Sequence, residues 1–164
     1  LVKGDEPRII TTSSISQSYE LPTFDKLFAG DGGKTAVGVN SGHSSYSWSK
    51  LGDAMFTSKL ASILSSQNHN TRLSSIKCLT MDPGTVNTKM LLAGWGPCGI
   101  PVKKANNTYK LAATEYGAQQ ESGSYHFGGR VSPDANNPER LDEFWKAMEM
   151  HTGCSYANLD DCLS

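Results

Sequence analysis

Arg8-Ile9-Ile10-Thr11-Thr12-Ser13-Ser14 follows Pro7 and is short and β-branched, so it reads as a strand that ends in two hydroxyls. From there to residue 45 the chain is rich in Ser, Gly, Asp, Thr and Asn. Leu21, Phe24, Leu27 and Phe28 are its apolar anchors, and Asp31-Gly32-Gly33 marks a turn. So long a connection is unusual in a compact domain and is often functional or partly disordered. Next, Leu51, Ala54, Met55, Lys59 and the run Leu60-Ala61-Ile63-Leu64 recur at helical spacing, predicting a helix over 46–66. Ser75 to Met81, with Ile76, Cys78 and Leu79, predicts a second strand closed by Asp82-Pro83-Gly84. Pro101 suits the first turn of a short helix over 101–113. Ser124 to Val131 predicts a third strand. Pro138 opens a last helix, with Leu141, Phe144, Trp145 and Met148 as its core stripe and Gly153 as its stop.

Strand, long loop, helix, strand, short helices, strand, helix is the alternation of a parallel α/β sheet with helices on its faces. Three strands make a poor doubly wound sheet. The Ile9 strand would be apolar on both faces and would lack a partner on one edge. The expectation is therefore part of a fold: residues 1–153 form the packed unit and 154–164 an irregular tail. Leu1, not Met, opens the sequence, in keeping with a chain that begins mid-protein.

The 164 residues are 37% hydrophobic and 19% charged, enough for a real core. A net charge of -1 and the absence of any Lys/Arg run argue against nucleic acid as a partner. No apolar run approaches the roughly 18 residues of a membrane helix, and no signal peptide is visible at Leu1. Cys78, Cys98, Cys154 and Cys162 show no paired spacing for zinc or a redox dithiol. They read as reduced thiols, with a Cys154–Cys162 bridge left open. Plastid, mitochondrion and cytosol all suit such a chain.

The chemistry lies in Tyr46-Ser47-Trp48-Ser49-Lys50. On a helix, positions i and i+4 share a face, so a phenol and an ammonium can share a small volume. An adjacent cation favours phenolate, which suits reversible alcohol–carbonyl chemistry near neutral pH. Alone the pair is weak: 6 Tyr and 11 Lys in 164 residues supply about 0.4 such spacings by chance. Context raises its meaning. Ser13-Ser14 and Asp82-Pro83-Gly84-Thr85-Val86-Asn87-Thr88 each follow a strand, and ligands of parallel sheets bind at that edge. A Ser hydroxyl there can hold a carbonyl or alkoxide oxygen.

Ser13-Ser14, Tyr46-x-x-x-Lys50-Leu51 and Asp82-Pro83-Gly84-x-Val86-x-Thr88, in that order, resemble the short-chain dehydrogenase/reductases. Within them, Ser49-Lys50-Leu51-Gly52-Asp53-Ala54-Met55-Phe56 and the stretch Asn87 to Gly99 are similar to the retinol-dehydrogenase-like and WW-domain-oxidoreductase-like branch of plants and algae. The resemblance covers about residues 7–152 and implies the C-terminal half of a Rossmann-type domain. It implies Tyr46 as the acid/base, Lys50 as its electrostatic partner and holder of the nicotinamide ribose, and Ser14, ahead of Ser13, as the residue orienting the substrate oxygen. Pro83, Gly84, Val86 and Thr88 would line the nicotinamide end of an NADP or NAD site, and residues 89–100 would form part of a substrate loop or lid.

The family's Gly-rich pyrophosphate turn is absent, as are its Asn-Ala-Gly segment and the Asn that completes its tetrad; all would precede Leu1. The Ser14-to-Tyr46 spacer is longer than in typical members. The implied activity is NAD(P)-dependent interconversion of a small or lipidic alcohol with its aldehyde or ketone. It needs the missing nucleotide-binding half, or another chain that covers the open sheet edge; this chain alone would bind dinucleotide weakly. A degenerate, non-catalytic subunit of a larger assembly is the alternative. His43, His69, His126 and His151 show no ligand spacing. Trp95 suits either a lid over an apolar substrate or an anchor for its own loop.

Overall fold

A computed structural model describes residues 4–27, 42–67 and 71–155. The elements are β1 (Arg8–Thr12), α1 (Phe24–Leu27), α2 (Gly42–Ser65), α3 (Thr71–Ser74), β2 (Lys77–Met81), α4 (Lys89–Trp95), α5 (Asn107–Ala113), α6 (Glu115–Ala118), β3 (Tyr125–His126) and α7 (Pro138–Thr152), with 3-10 turns at Val102–Lys104 and Pro133–Asn136. The three strands form a parallel sheet in the order β1-β2-β3. Helices cover both faces, as in part of a Rossmann-like α/β fold.

The two faces are set by the period of 2 along each strand. Ile9 and Cys78, opposite each other in the register, pack with Leu60, Ala61, Leu64, Leu73, Ile76 and Trp145 under α2 and α7. Ile10, Leu79 and Met81 point the other way, against Leu111 of α5. A third cluster joins α2 to α7 through Leu51, Ala54, Met55, Leu141 and Phe144. Leu51 and Met55 are wholly buried, and truncating either to Ala would cost about 2–5 kcal/mol. Arg8 threads from β1 to the end of α5, donating to the carbonyls of Leu111 (3.0 Å) and Thr114 (2.8 Å), a favourable place for a cation.

Several boundaries differ from the expectation. β1 stops at Thr12; Ser13 still donates its N–H to the Met81 carbonyl of β2 at 2.8 Å, and Ser14 lies beyond the ladder. Ser75 and Ile76 close α3, donating to the carbonyls of Thr71 and Leu73, so β2 starts at Lys77. The third strand is two residues, not eight. Phe127 turns into the left-handed region (φ 63°), and Gly128 lies so close that a Cβ there would sit 2.0 Å from the Tyr125 hydroxyl and 2.6 Å from Asp82 Cβ. The expected helix over 101–113 is broken because Ala105 is extended, and α5 starts only at Asn107. α4 was not expected as a helix, although Thr88 caps it by accepting from the Leu91 N–H at 3.3 Å. α7 ends as expected, at a left-handed Gly153 (φ 68°). The Asp31-Gly32-Gly33 turn, most of the 154–164 tail and Cys162 lie outside the described residues. Cys78, Cys98 and Cys154 are free thiols.

Candidate functional site

Four hydrogen bonds gather three segments at the C-terminal edge of the sheet. Ser13 Oγ donates to the Lys50 carbonyl over 2.6 Å. Lys50 Nζ donates to the Thr12 carbonyl over 2.8 Å. The Ile15 N–H donates to Asp82 Oδ2 over 2.5 Å. The Ser18 N–H donates to the Ser47 carbonyl over 3.1 Å. The early turns of α2 and the turn after β2 are thus both held to the segment at the end of β1.

Each segment has a local cause. α2 begins at Gly42, so Tyr46 and Lys50 stand on its second and third turns with their side chains on one face. Lys50 Nζ lies 5.9 Å from the Tyr46 ring centroid. Its ammonium also pairs with Asp53 Oδ2 at 2.9 Å, an i,i+3 contact that the sequence carries openly as Lys50-x-x-Asp53. Ser13 and Ser14 are both buried, yet they differ in use. Ser13 spends its proton on the α2 backbone. Ser14 Oγ instead accepts from the Ser16 N–H at 3.0 Å, which leaves its own proton free to be given.

Asp82 is buried and organises the turn. Its Oδ1 accepts from the Gly84 N–H at 2.6 Å while Oδ2 takes the Ile15 N–H. Asn107 Nδ2 donates to its carbonyl at 2.9 Å, drawing α5 to the same point. Gly84 is left-handed (φ 83°) and exposed, with only Asn107 Nδ2 within 4 Å of a Cβ placed there, at 3.9 Å. Pro83 and Val86 are half-buried and Thr88 is exposed. Val86 bridges to Ile100, and Asn87 Oδ1 accepts from the Gly99 N–H at 2.8 Å. Residues 87–99 thereby form a closed lobe that carries α4. Trp95 stands exposed on it, its ring 6.4 Å from that of His43 at the start of α2.

Next to Asp82 the Tyr125 phenol is pushed up to about 12, first by burial and then by the Asp82 charge. Structural roles for Asp82, Asn107 and Asp53 were not foreseen. Asp82 stood inside the quoted motif, but its two bonds depend on loops that meet only in the fold.

The arrangement is that of a partial Rossmann-like α/β fold, a three-stranded parallel sheet flanked by helices. It is similar in fold to a crystal structure of an uncharacterized protein from Mycobacterium Paratuberculosis, with a TM-score of 0.61 and 22% sequence identity over 92% of this chain. The chain spans 52% of that protein's length. No protein-family model matches the chain, and no curated protein matches it. No helix among the described residues is long and apolar enough to cross a membrane.

Proposed function

We propose that this chain is the catalytic half of an NAD(P)-dependent oxidoreductase of the short-chain dehydrogenase/reductase type, interconverting an alcohol and a carbonyl compound. The observation that carries the reading is the Tyr46–Lys50 pair, 5.9 Å apart, on a helix whose backbone is bonded to the Ser13-Ser14 strand end. Tyr46 gives a proton to the substrate oxygen, or takes one from it. Ser14, whose proton is free, orients that oxygen. Lys50 keeps positive charge beside the phenol and is tethered to Thr12 and Asp53, which fixes where that charge sits.

A nicotinamide cofactor, when bound, supplies or accepts the hydride. What supports a nicotinamide end here is the open backbone at Gly84, with Pro83 and Val86 half-buried and Thr88 exposed beside it in the turn after β2. They do not include a phosphate-binding turn. A polypeptide carrying that turn would pair with the free edge of β1, and the complete protein would be the active form.

The committed state of the Lys50 ammonium favours a second reading, a non-catalytic subunit in which Lys50 only staples α2 to β1. One experiment separates the two. The natively purified chain, with whatever copurifies, is assayed for NADPH- and NADH-dependent reduction of small and lipidic aldehydes and ketones. Turnover that Tyr46→Phe abolishes while cofactor affinity survives supports the enzyme. Turnover retained by Tyr46→Phe removes Tyr46 from the acid/base role, and no turnover with any substrate class favours the subunit.

A further inference from the structure

α4 breaks the rule that apolar helices are covered. Its sequence, Lys-Met-Leu-Leu-Ala-Gly-Trp, is apolar around almost its whole circumference, yet none of its residues is buried. Met90 is 58% exposed, Leu92 46% and Trp95 61%. A helix of this kind belongs either in a protein core or in lipid. Ile100 and Val102, where the chain leaves the lobe, are also exposed.

Charge supplies the second observation. Between Asp82 and Glu115 the sequence carries Lys89, Lys103, Lys104 and Lys110 and no acidic residue, although the chain as a whole has a net charge of -1. All four lysines are exposed, and Lys89, Lys103 and Lys104 lie at the two ends of the lobe in the sequence. An exposed apolar segment whose only charged residues are lysines, with an exposed tryptophan, has the composition of segments that lie in the interface of an anionic bilayer. The Val86–Ile100 bridge and the Asn87–Gly99 hydrogen bond close the lobe at its base, so α4 is carried on a segment tied at both ends.

We propose that the lobe of residues 87–104 is a membrane-docking surface that sits in the headgroup layer of anionic lipid, with Met90, Leu92 and Trp95 inserted and Lys89, Lys103 and Lys104 on the headgroups. The inference does not depend on the proposed oxidoreductase activity. It does bear on it, because Trp95 adjoins the start of α2, and a docked lobe would turn the mouth of the candidate site toward the bilayer.

The test is sedimentation of the full chain, with whatever copurifies, with phosphatidylcholine vesicles and with phosphatidylcholine vesicles carrying phosphatidylglycerol, without cofactor or substrate. The expected result is binding to the anionic vesicles that weakens with salt, together with a blue shift of Trp fluorescence that Trp95→Phe removes. Lys103→Gln/Lys104→Gln should weaken binding on the order of tenfold or more, at about fivefold per lysine near an anionic surface. Leu92→Ser should weaken it as well. Lys146→Gln, an exposed change on α7, should not. Far-UV circular dichroism confirms that each variant is folded; because no helical residue is buried in α4, these changes should be tolerated. Failure to bind either vesicle overturns the proposal. So does equal binding to both, or binding that ignores the changes in the lobe. Since no turnover is read, none of these outcomes can be confused with failure of the oxidoreductase reading.

Discussion

The Ser13 hydroxyl gives its proton to the main-chain carbonyl of Lys50 over 2.6 Å, fastening the end of β1 to the helix that carries Tyr46 and Lys50. Two adjacent serines therefore do different work. Ser13→Ala should destabilise the chain by about 1–2 kcal/mol, because it removes a bond from a buried group. Ser14→Ala should cost less, because its Oγ only accepts the local Ser16 N–H, and under the proposed oxidoreductase reading it should lower turnover instead. Urea unfolding of both variants checks the division, and equal losses would contradict it.

Asp82 joins two loops through one carboxylate, accepting from Ile15 on one oxygen and Gly84 on the other. Asp82→Asn leaves one oxygen for two backbone donors, and its new NH₂ faces an N–H. A loss of about 1–3 kcal/mol follows, read as a lowered denaturant midpoint. A neutral outcome would mean that the loops hold their places without it.

Gly117 lies against the backbone of Leu111: a Cβ there would be 1.9 Å from its carbonyl oxygen. That oxygen also accepts from Arg8, so it cannot move freely. Gly117→Ala should cost about 1–3 kcal/mol or more by overpacking. Gly94→Ala, with nothing within 4 Å of the new methyl, is the matched control and should be close to neutral. Equal midpoints for the two variants in a denaturant series would refute the argument.

Burial lowers the pKa of His126, whose Nε2 lies 2.7 Å from Ser124 Oγ. The folded chain resists a proton that the unfolded chain takes up near the ordinary histidine value of about 6.5. Stability should therefore be full above that pH and fall as the pH drops below it, levelling only beneath the lower folded value. His126→Gln should flatten this part of the curve, measured as unfolding midpoints across the range. An unchanged slope would mean that another group sets it.

Cys78 is fully buried, and burial pushes its thiol up to about 11, whereas Cys98 and Cys154 are exposed. Since the thiolate is the reactive form, iodoacetamide should modify Cys98 and Cys154 in the folded chain and reach Cys78 only after unfolding. Peptide mass mapping reads this directly, and early labelling of Cys78 would show that the sheet opens locally.

The parallel α/β arrangement was legible because it rests on local pattern. β-branched Ile9 and Ile10, the apolar stripe of α2 and the stripe Leu141, Phe144, Trp145 of α7 each state their periodicity within one element, and burial in the fold follows it. The i,i+4 placement of Tyr46 and Lys50 is likewise a property of any helix. The third strand was overread because its aromatic, alternating residues carry no sign of the left-handed turn at Phe127. That turn is imposed by the contact of Gly128 with Tyr125 and Asp82. Which serine is tied to α2, which loops Asp82 joins and which apolar helix is left uncovered were decided by tertiary structure alone. Each depends on groups tens of residues apart whose hydrogen bonds, or lack of neighbours, exist only once the sheet has brought the strand ends to one edge.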